Sequence, residues 1–179
     1  TAAEVRDRVF TLAAPFTTPP VPLIDLAERY AGITWGREDV ALVYSRWFNT
    51  RHETRHLVDP SRPGQGRVLV ERNYQDRYND PGAAATEPNA AGRPVIQFTG
   101  DGAKILIEGG GATRAGQYPF LGTLDLATGQ TERLWTSAEG EYETIVGLLG
   151  EDGQRLVTRR ETRLDPPNLY VRDLDGSAP

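Results

Sequence analysis

The sequence predicts an all-β fold made of antiparallel four-stranded sheets, the blades of an incomplete β-propeller. Short runs of β-branched and aromatic residues, which suit a pleated surface, alternate with turns that carry glycine. This layout recurs along the chain at the spacing of propeller blades, roughly 40 to 50 residues. A β-sandwich also strings short strands between glycine turns. We favour the propeller because a turn from aspartate to glycine follows the third strand of each repeat: Asp59 to Gly64, Asp125 to Gly129 and Asp173 to Gly176.

The middle repeat, residues 94–136, shows the pattern most clearly. Its turns GDGA and ATGQ carry glycine where a tight reversal of the chain requires a positive φ. The runs between these turns predict an antiparallel meander. The predicted strands are PVIQF (Pro94 to Phe98), KILIEG (Lys104 to Gly109), PFLGTLDL (Pro119 to Leu126) and QTERLW (Gln130 to Trp135).

The flanking segments repeat the same order of strands. Residues 33–72 predict a complete blade, and residues 142–179 predict a blade without its fourth strand. Residues 1–32 would then be the end of a preceding blade, and residues 73–93 the loop between two blades. Because a propeller closes only with about four blades or more, we expect the natural polypeptide to be longer at both ends. The absence of methionine agrees with a natural start before Thr1.

Composition excludes several classes of function. The net charge of -5 gives no cationic field for a phosphate backbone, so we expect no nucleic-acid partner. No apolar run approaches the roughly 20 residues that span a bilayer, so we expect no membrane partner. The absence of cysteine excludes disulfides, a thiolate nucleophile and cysteine metal sites. Lys104 is the only lysine among 20 basic residues, which indicates a GC-rich bacterial genome.

The segment HETRH (His52 to His56) matches the HExxH pattern of zinc peptidases, in which one helix face presents both histidines. A helix here would have barely two turns before Asp59-Pro60, and β-favouring residues surround the motif. We therefore predict a strand from Thr54 to Asp59, with no metal site. The zinc peptidase stays as an alternative, and no cofactor is expected.

No other enzyme signature occurs in the sequence. None of the serines, Ser45, Ser61, Ser137 and Ser177, lies in the GxSxG turn that exposes a hydrolase nucleophile. The glycine-rich stretch Glu108 to Gly116 is not followed by a helix start, so it predicts a wide loop between strands and not a phosphate cradle.

Six stretches in collinear order cover much of the chain: RDRVFTLAAPF (Arg6 to Phe16), RYAGITWGREDVALV (Arg29 to Val43), LVDPSRPG (Leu57 to Gly64), ERNYQDRYNDPG (Glu71 to Gly82), GGGATRAGQYPFLGTLDLATGQTERLW (Gly109 to Trp135) and RRETRLDPPNLYVRDL (Arg159 to Leu174). Together they resemble the glutamyl endopeptidase branch of the prolyl oligopeptidase family. The resemblance implies an N-terminal β-propeller, then an α/β-hydrolase domain with a Ser-Asp-His triad that cleaves after glutamate. The triad would lie outside this chain, whose partners would be a peptide substrate and the remainder of its own polypeptide.

Three arginines are the candidate substrate-binding residues: Arg72, Arg77 and Arg114. They lie in or beside the longer loops of the predicted blades, where binding residues usually gather. A guanidinium binds an acidic peptide side chain well through paired hydrogen bonds. The alternative is that these arginines pair with Asp76, Asp80 or Glu108 and only hold the loops. A non-catalytic propeller that binds other molecules is the remaining alternative function.

Overall fold

The computed structural model describes residues 4–149 and 154–174, and every regular element in them is a β-strand. The all-β prediction with antiparallel four-stranded sheets is therefore confirmed. Parts of the segments predicted as a preceding blade and an incomplete blade, residues 1–3, 150–153 and 175–179, lie outside the described residues. No helix in the described part of the chain is long and apolar enough to cross a membrane. The chain divides into two compact units, with residues 77–85 and those after 96 in the second.

The first unit contains a two-stranded sheet and a four-stranded antiparallel meander. The meander follows chain order, because each strand turns back beside the one before it. Its two inner strands contain most of its buried residues, whereas its two outer strands are mostly exposed or half-buried. The core contains Leu23, Leu26, Ala41, Val43 and Val58. The two-stranded sheet is formed by β1 (Asp7–Thr11) and β2 (Val21–Leu26), and the meander by β3 (Arg29–Trp35), β4 (Ala41–Trp47), β5 (His52–Val58) and β6 (Gly66–Asn73).

A short hairpin completes the first unit, and a separate strand precedes it in the chain. The strand is β7 (Ala83–Ala84), and the hairpin consists of β8 (Thr86–Pro88) and β9 (Pro94–Ile96). Pro88 and Pro94 face each other at the turn end of the hairpin. Proline has no N–H to give to a ladder, so it is tolerated at such an end. The hairpin belongs to the first unit, in which β9 lies close to β3.

The second unit contains a four-stranded antiparallel sheet whose fourth position differs from the sequence prediction. The strands β10 (Lys104–Gly109), β11 (Phe120–Asp125) and β12 (Thr131–Thr136) lie where the meander was expected. The prediction that PVIQF forms the first strand of this sheet is wrong for Pro94 to Ile96, which pair with β8.

The position beside β10 is shared by two separate pieces of chain. One piece is β7, and the other is Phe98, which forms an isolated bridge with Ile105. The Ala85 N–H donates to the Leu106 carbonyl, and the Leu106 N–H donates to the Gln97 carbonyl. The ladder is therefore completed by residues on either side of the β8–β9 hairpin.

A three-stranded antiparallel sheet ends the described chain. It consists of β13 (Tyr142–Leu149), β14 (Arg155–Glu161) and β15 (Asn168–Asp173), in that order. The buried Glu143 carboxylate accepts hydrogen bonds from Thr158 and from Arg172 Nε, the latter at 2.9 Å. The outer edge of β15 has no strand partner among the described residues.

Candidate functional site

The HETRH segment is a strand, so it does not have the helical geometry of the zinc-peptidase motif. His52 to Val58 form β5 between β4 and β6. The strand predicted from Thr54 to Asp59 is therefore confirmed as far as Val58, and Asp59 lies just beyond its end. Successive side chains in a strand point to opposite faces, so Glu53 cannot join both histidines on one face. Within residues 4–149 and 154–174, no group of at least three His, Cys, Asp or Glu side chains is arranged to hold a metal ion.

The histidine face of β5 carries a chain of polar contacts. His52 Nδ1 lies 2.6 Å from a Glu28 carboxylate oxygen. Ser45 Oγ lies 3.3 Å from the other Glu28 oxygen and 3.2 Å from His56 Nε2. Burial lowers the pKa of His56, although the charges of Glu28 and Glu71 act to raise it. Ser45 is only 1% exposed, so this serine and histidine pair is closed to a substrate.

The opposite face of β5 holds a buried carboxylate among arginines. The Glu53 side chain is 2% exposed and accepts hydrogen bonds from Arg46 Nε at 2.7 Å and from Arg55 Nε at 2.9 Å. Burial acts to raise the pKa of Glu53, but the hydrogen bonds from Arg46 and Arg55 outweigh it and lower that pKa. We call Glu53, Arg46, Arg55 and Arg72 the Glu53 cluster.

Arg72, a predicted substrate-binding residue, belongs to this cluster. Its Nε lies 3.9 Å from Glu53 Oε1, and its side chain is only 10% exposed. Its Nη2 also donates to the Tyr74 carbonyl at 3.2 Å. These contacts assign Arg72 a part in holding the sheet together.

Arg77, the second predicted residue, lines a cavity of about 300 Å³ in the second unit. Arg77 is exposed and makes no ion pair with another described residue. We call this space the loop cavity; residues that line it include Arg77, Tyr78, Asp80, Thr113, Tyr118 and Arg133.

The wall of the loop cavity includes the glycine-rich loop between β10 and β11, which is the wide loop that the sequence predicted. Thr113 shapes its tip: the Thr113 N–H donates to the Gly116 carbonyl at 2.7 Å, and the Gly116 N–H donates to Thr113 Oγ1. Gly111 has a φ of 56°, and a Cβ there would collide with the Tyr118 carbonyl. Arg114, the third predicted residue, lies exposed at this tip and has no ion-pair partner among the described residues.

Arg133 is a cavity residue that sequence reasoning missed. It lies on β12, the edge strand of its sheet, and pairs with Gly122 in the ladder. A Cβ at Gly122 would collide with the Glu132 carbonyl, and the Arg133 guanidinium lies over the buried Phe120 ring. Burial lowers the pKa of Arg133, although the Asp80 charge acts to raise it. The pairing of an arginine with a glycine across two strands could have pointed to it, but only with the register known.

Comparison with known proteins confirms the resemblance to glutamyl endopeptidases. The chain is 34% identical over 166 residues to a "Probable glutamyl endopeptidase, chloroplastic" of Oryza sativa subsp. japonica, a match that covers 86% of this chain. It is 34% identical over 151 residues to a protein of the same name from Arabidopsis thaliana, which covers 81% of this chain. The chain spans only 18% and 16% of the lengths of these two relatives. No family model matches the chain, and no solved structure gives a significant match.

Proposed function

We propose that this chain is a β-propeller segment of a prolyl-oligopeptidase-type serine peptidase. The segment gates access to the catalytic site and helps to select peptides that are cut after glutamate. The catalytic domain is supplied by another part of the polypeptide. The observation that carries this proposal is the similarity to two glutamyl endopeptidases over more than four fifths of the chain.

The sheets support the part of the proposal that concerns the propeller. The β3 to β6 sheet is a four-stranded meander in chain order, which is the arrangement of a propeller blade. Among the described residues, the β13 to β15 sheet has three strands, and β15 is at its edge. A fourth strand from elsewhere in the polypeptide would complete this sheet as a blade.

The serines support a catalytic nucleophile outside this chain. Ser45 and Ser137 are buried, and Ser61 is tied to Asp59 by its hydroxyl and its backbone N–H. None of them follows the GxSxG pattern, and Ser177 lies outside the described residues. A serine nucleophile must be exposed beside a base, which none of the three described serines achieves.

The proposal is tested with the longest natural polypeptide that contains this sequence. We expect it to hydrolyse a fluorogenic peptide after glutamate, with a lower kcat/KM for the matched glutamine peptide. Hydrolysis without any preference for glutamate would remove the selectivity from the proposal. If the polypeptide cuts no peptide and binds one without turnover, the chain is instead part of a non-catalytic binding module.

A further inference from the structure

We propose that the loop cavity binds a carboxylate, and that Arg133 and Arg77 are the residues that hold it. Arg77 and Arg133 are the basic residues, and Asp80 is the acidic residue, among the described residues that line the cavity. The net charge of these lining residues is therefore positive, and Arg114 at the loop tip adds a further positive charge nearby. This inference deepens the proposed function, because a glutamate side chain of a peptide is one source of the carboxylate.

Arg133 is the residue best placed to bind an acid. Its guanidinium lies over the Phe120 ring, which is almost completely buried, so one face of the cation is already shielded from water. When a guanidinium stacks on a ring, its N–H groups lie in its own plane and point away from the ring edge, so two of them can donate to one carboxylate. The loss of hydration on one face strengthens attraction to an anion, because the local dielectric constant is lower than that of water.

Arg77 supplies the second cation from a different part of the cavity lining. It is exposed and makes no ion pair with another described residue, so binding an anion would displace no ion pair within the described part of the chain. Tyr78 and Tyr118 add hydroxyl groups and apolar ring surface to the lining. A cavity with apolar rings and a few convergent polar groups is typical of sites for small ligands.

The loop is held by hydrogen bonds within itself. The contacts of Thr113 with Gly116 and the hydrogen bond from the Tyr118 N–H to the Gly111 carbonyl at 3.0 Å fix the loop beside the cavity. Gly111 approaches the Tyr118 carbonyl so closely that no larger residue fits. A preformed wall lowers the entropy that binding must offset, which favours recognition of a small group such as a carboxylate.

The carboxylate can come from a glutamate side chain or from the C-terminus of a peptide, and small probes separate the two sources. N-acetyl-glutamate amide carries only the side-chain carboxylate, and N-acetyl-glutamine carries only the terminal one. N-acetyl-glutamine amide carries neither. Binding of each probe to the longest natural polypeptide is measured by ligand-observed NMR, which needs no peptidase activity. Binding of the probes can therefore be measured even if the polypeptide proves to have no peptidase activity.

We expect at least one of the two acids to bind more tightly than the neutral probe. Arg133→Ala and Arg77→Ala should each weaken that binding by about 10- to 150-fold, the range for loss of a charged hydrogen bond. Arg133→Lys should recover only part of the affinity, because an ammonium cannot donate in a pair. The control is Arg93→Ala, since Arg93 is exposed in the β8–β9 turn of the other unit.

The pattern of binding loss in the arginine variants identifies the source of the carboxylate. If the variants lose binding of N-acetyl-glutamate amide only, the cavity binds a glutamate side chain. If they lose binding of N-acetyl-glutamine only, it binds a peptide C-terminus. Arg77 is exposed, so its alanine variant should fold normally even if Arg133→Ala disturbs Phe120. If Arg77→Ala and Arg133→Lys both retain the parental affinity for both acids, the cavity is not a carboxylate site.

Discussion

Replacing Glu53 by glutamine should destabilise the first unit strongly, because it removes the one carboxylate of the Glu53 cluster. The side chains of Glu53 and Arg55 are 2% and 9% exposed, so the substitution removes the negative charge from a site that is largely shielded from water. Removing one partner of a buried ion pair typically costs about 3–5 kcal/mol. Glutamine keeps the size of the side chain, so the loss reports the charge and not a cavity.

The effect should depend on pH in a defined direction. The pKa of Glu53 is lowered in the folded protein, since the hydrogen bonds from Arg46 and Arg55 outweigh burial. A lowered carboxyl pKa gives stability that is present above the unfolded pKa, about 4.3, and is lost as pH falls through the folded value. The difference between the parental protein and Glu53→Gln should therefore be full near neutral pH and shrink below about pH 4.

The measurement is the urea dependence of hydrogen exchange in peptides from β4 and β5, within the longest natural polypeptide. Exchange reports the free energy of local opening, so it does not require the whole protein to unfold in one step. Glu132→Gln, followed in peptides from β10 and β12, is the control, because Glu132 pairs with Lys104 at 3.2 Å but its side chain is 65% exposed. Such an exposed pair contributes about 0–1 kcal/mol. A loss for Glu53→Gln no larger than that of the control, or one that does not change with pH, would show that the buried Glu53 charge does not stabilise the first unit.

Three further predictions follow from individual contacts. Gly111→Ala should lower the melting temperature of the polypeptide, because a non-glycine residue in the left-handed conformation costs on the order of 1–3 kcal/mol and the new Cβ would collide with Tyr118. The control Gly100→Ala, where the new Cβ meets open space, should change the melting temperature little. In an NMR pH series His56 should titrate below the usual histidine pKa of about 6.5. Stability should decline as pH falls through about 6.5, because the unfolded chain takes up the proton before the folded protein does. A titration midpoint at or above about 6.5 would be inconsistent with burial as the cause. Residues 1–179 alone should self-associate in sedimentation, because the edge of β15 and its exposed Leu169 and Val171 offer a template for pairing; a monodisperse monomer with a cooperative melt would count against a propeller segment.

The sequence alone was sufficient to predict the strands that are marked by their own residues. Runs such as those of β4, β10 and β11 carry enough β-branched and aromatic residues to identify them, and β5 was recognised despite its HExxH pattern. The fourth position of the second sheet was not predictable in this way. It is shared by the alanine-rich β7 and by Phe98, which lie on either side of a hairpin. Alanine has low β propensity, and only pairing with β10 makes this piece a strand.

The candidate site was partly predictable. Arg77 and Arg114 are exposed on loops, as their positions in turn-rich sequence indicated. Arg72 lies on β6 opposite Glu53, and this cross-strand pairing depends on a register that includes a bulge between Arg55 and His56. Arg133 was missed because only the pairing of β12 with β11 brings it over Phe120. The register between neighbouring strands therefore decides which residues each of these arginines contacts.

If this chain is a propeller segment of a serine peptidase, the nucleophile lies elsewhere in the polypeptide. A fluorophosphonate, which reacts with activated serines, tests this when it is used to label the longest natural polypeptide and the label is located by peptide mapping. We expect one labelled serine outside residues 1–179, and no label on these residues expressed alone. A label on Ser45, Ser61, Ser137 or Ser177, or no labelled serine in an intact and folded polypeptide, would contradict it.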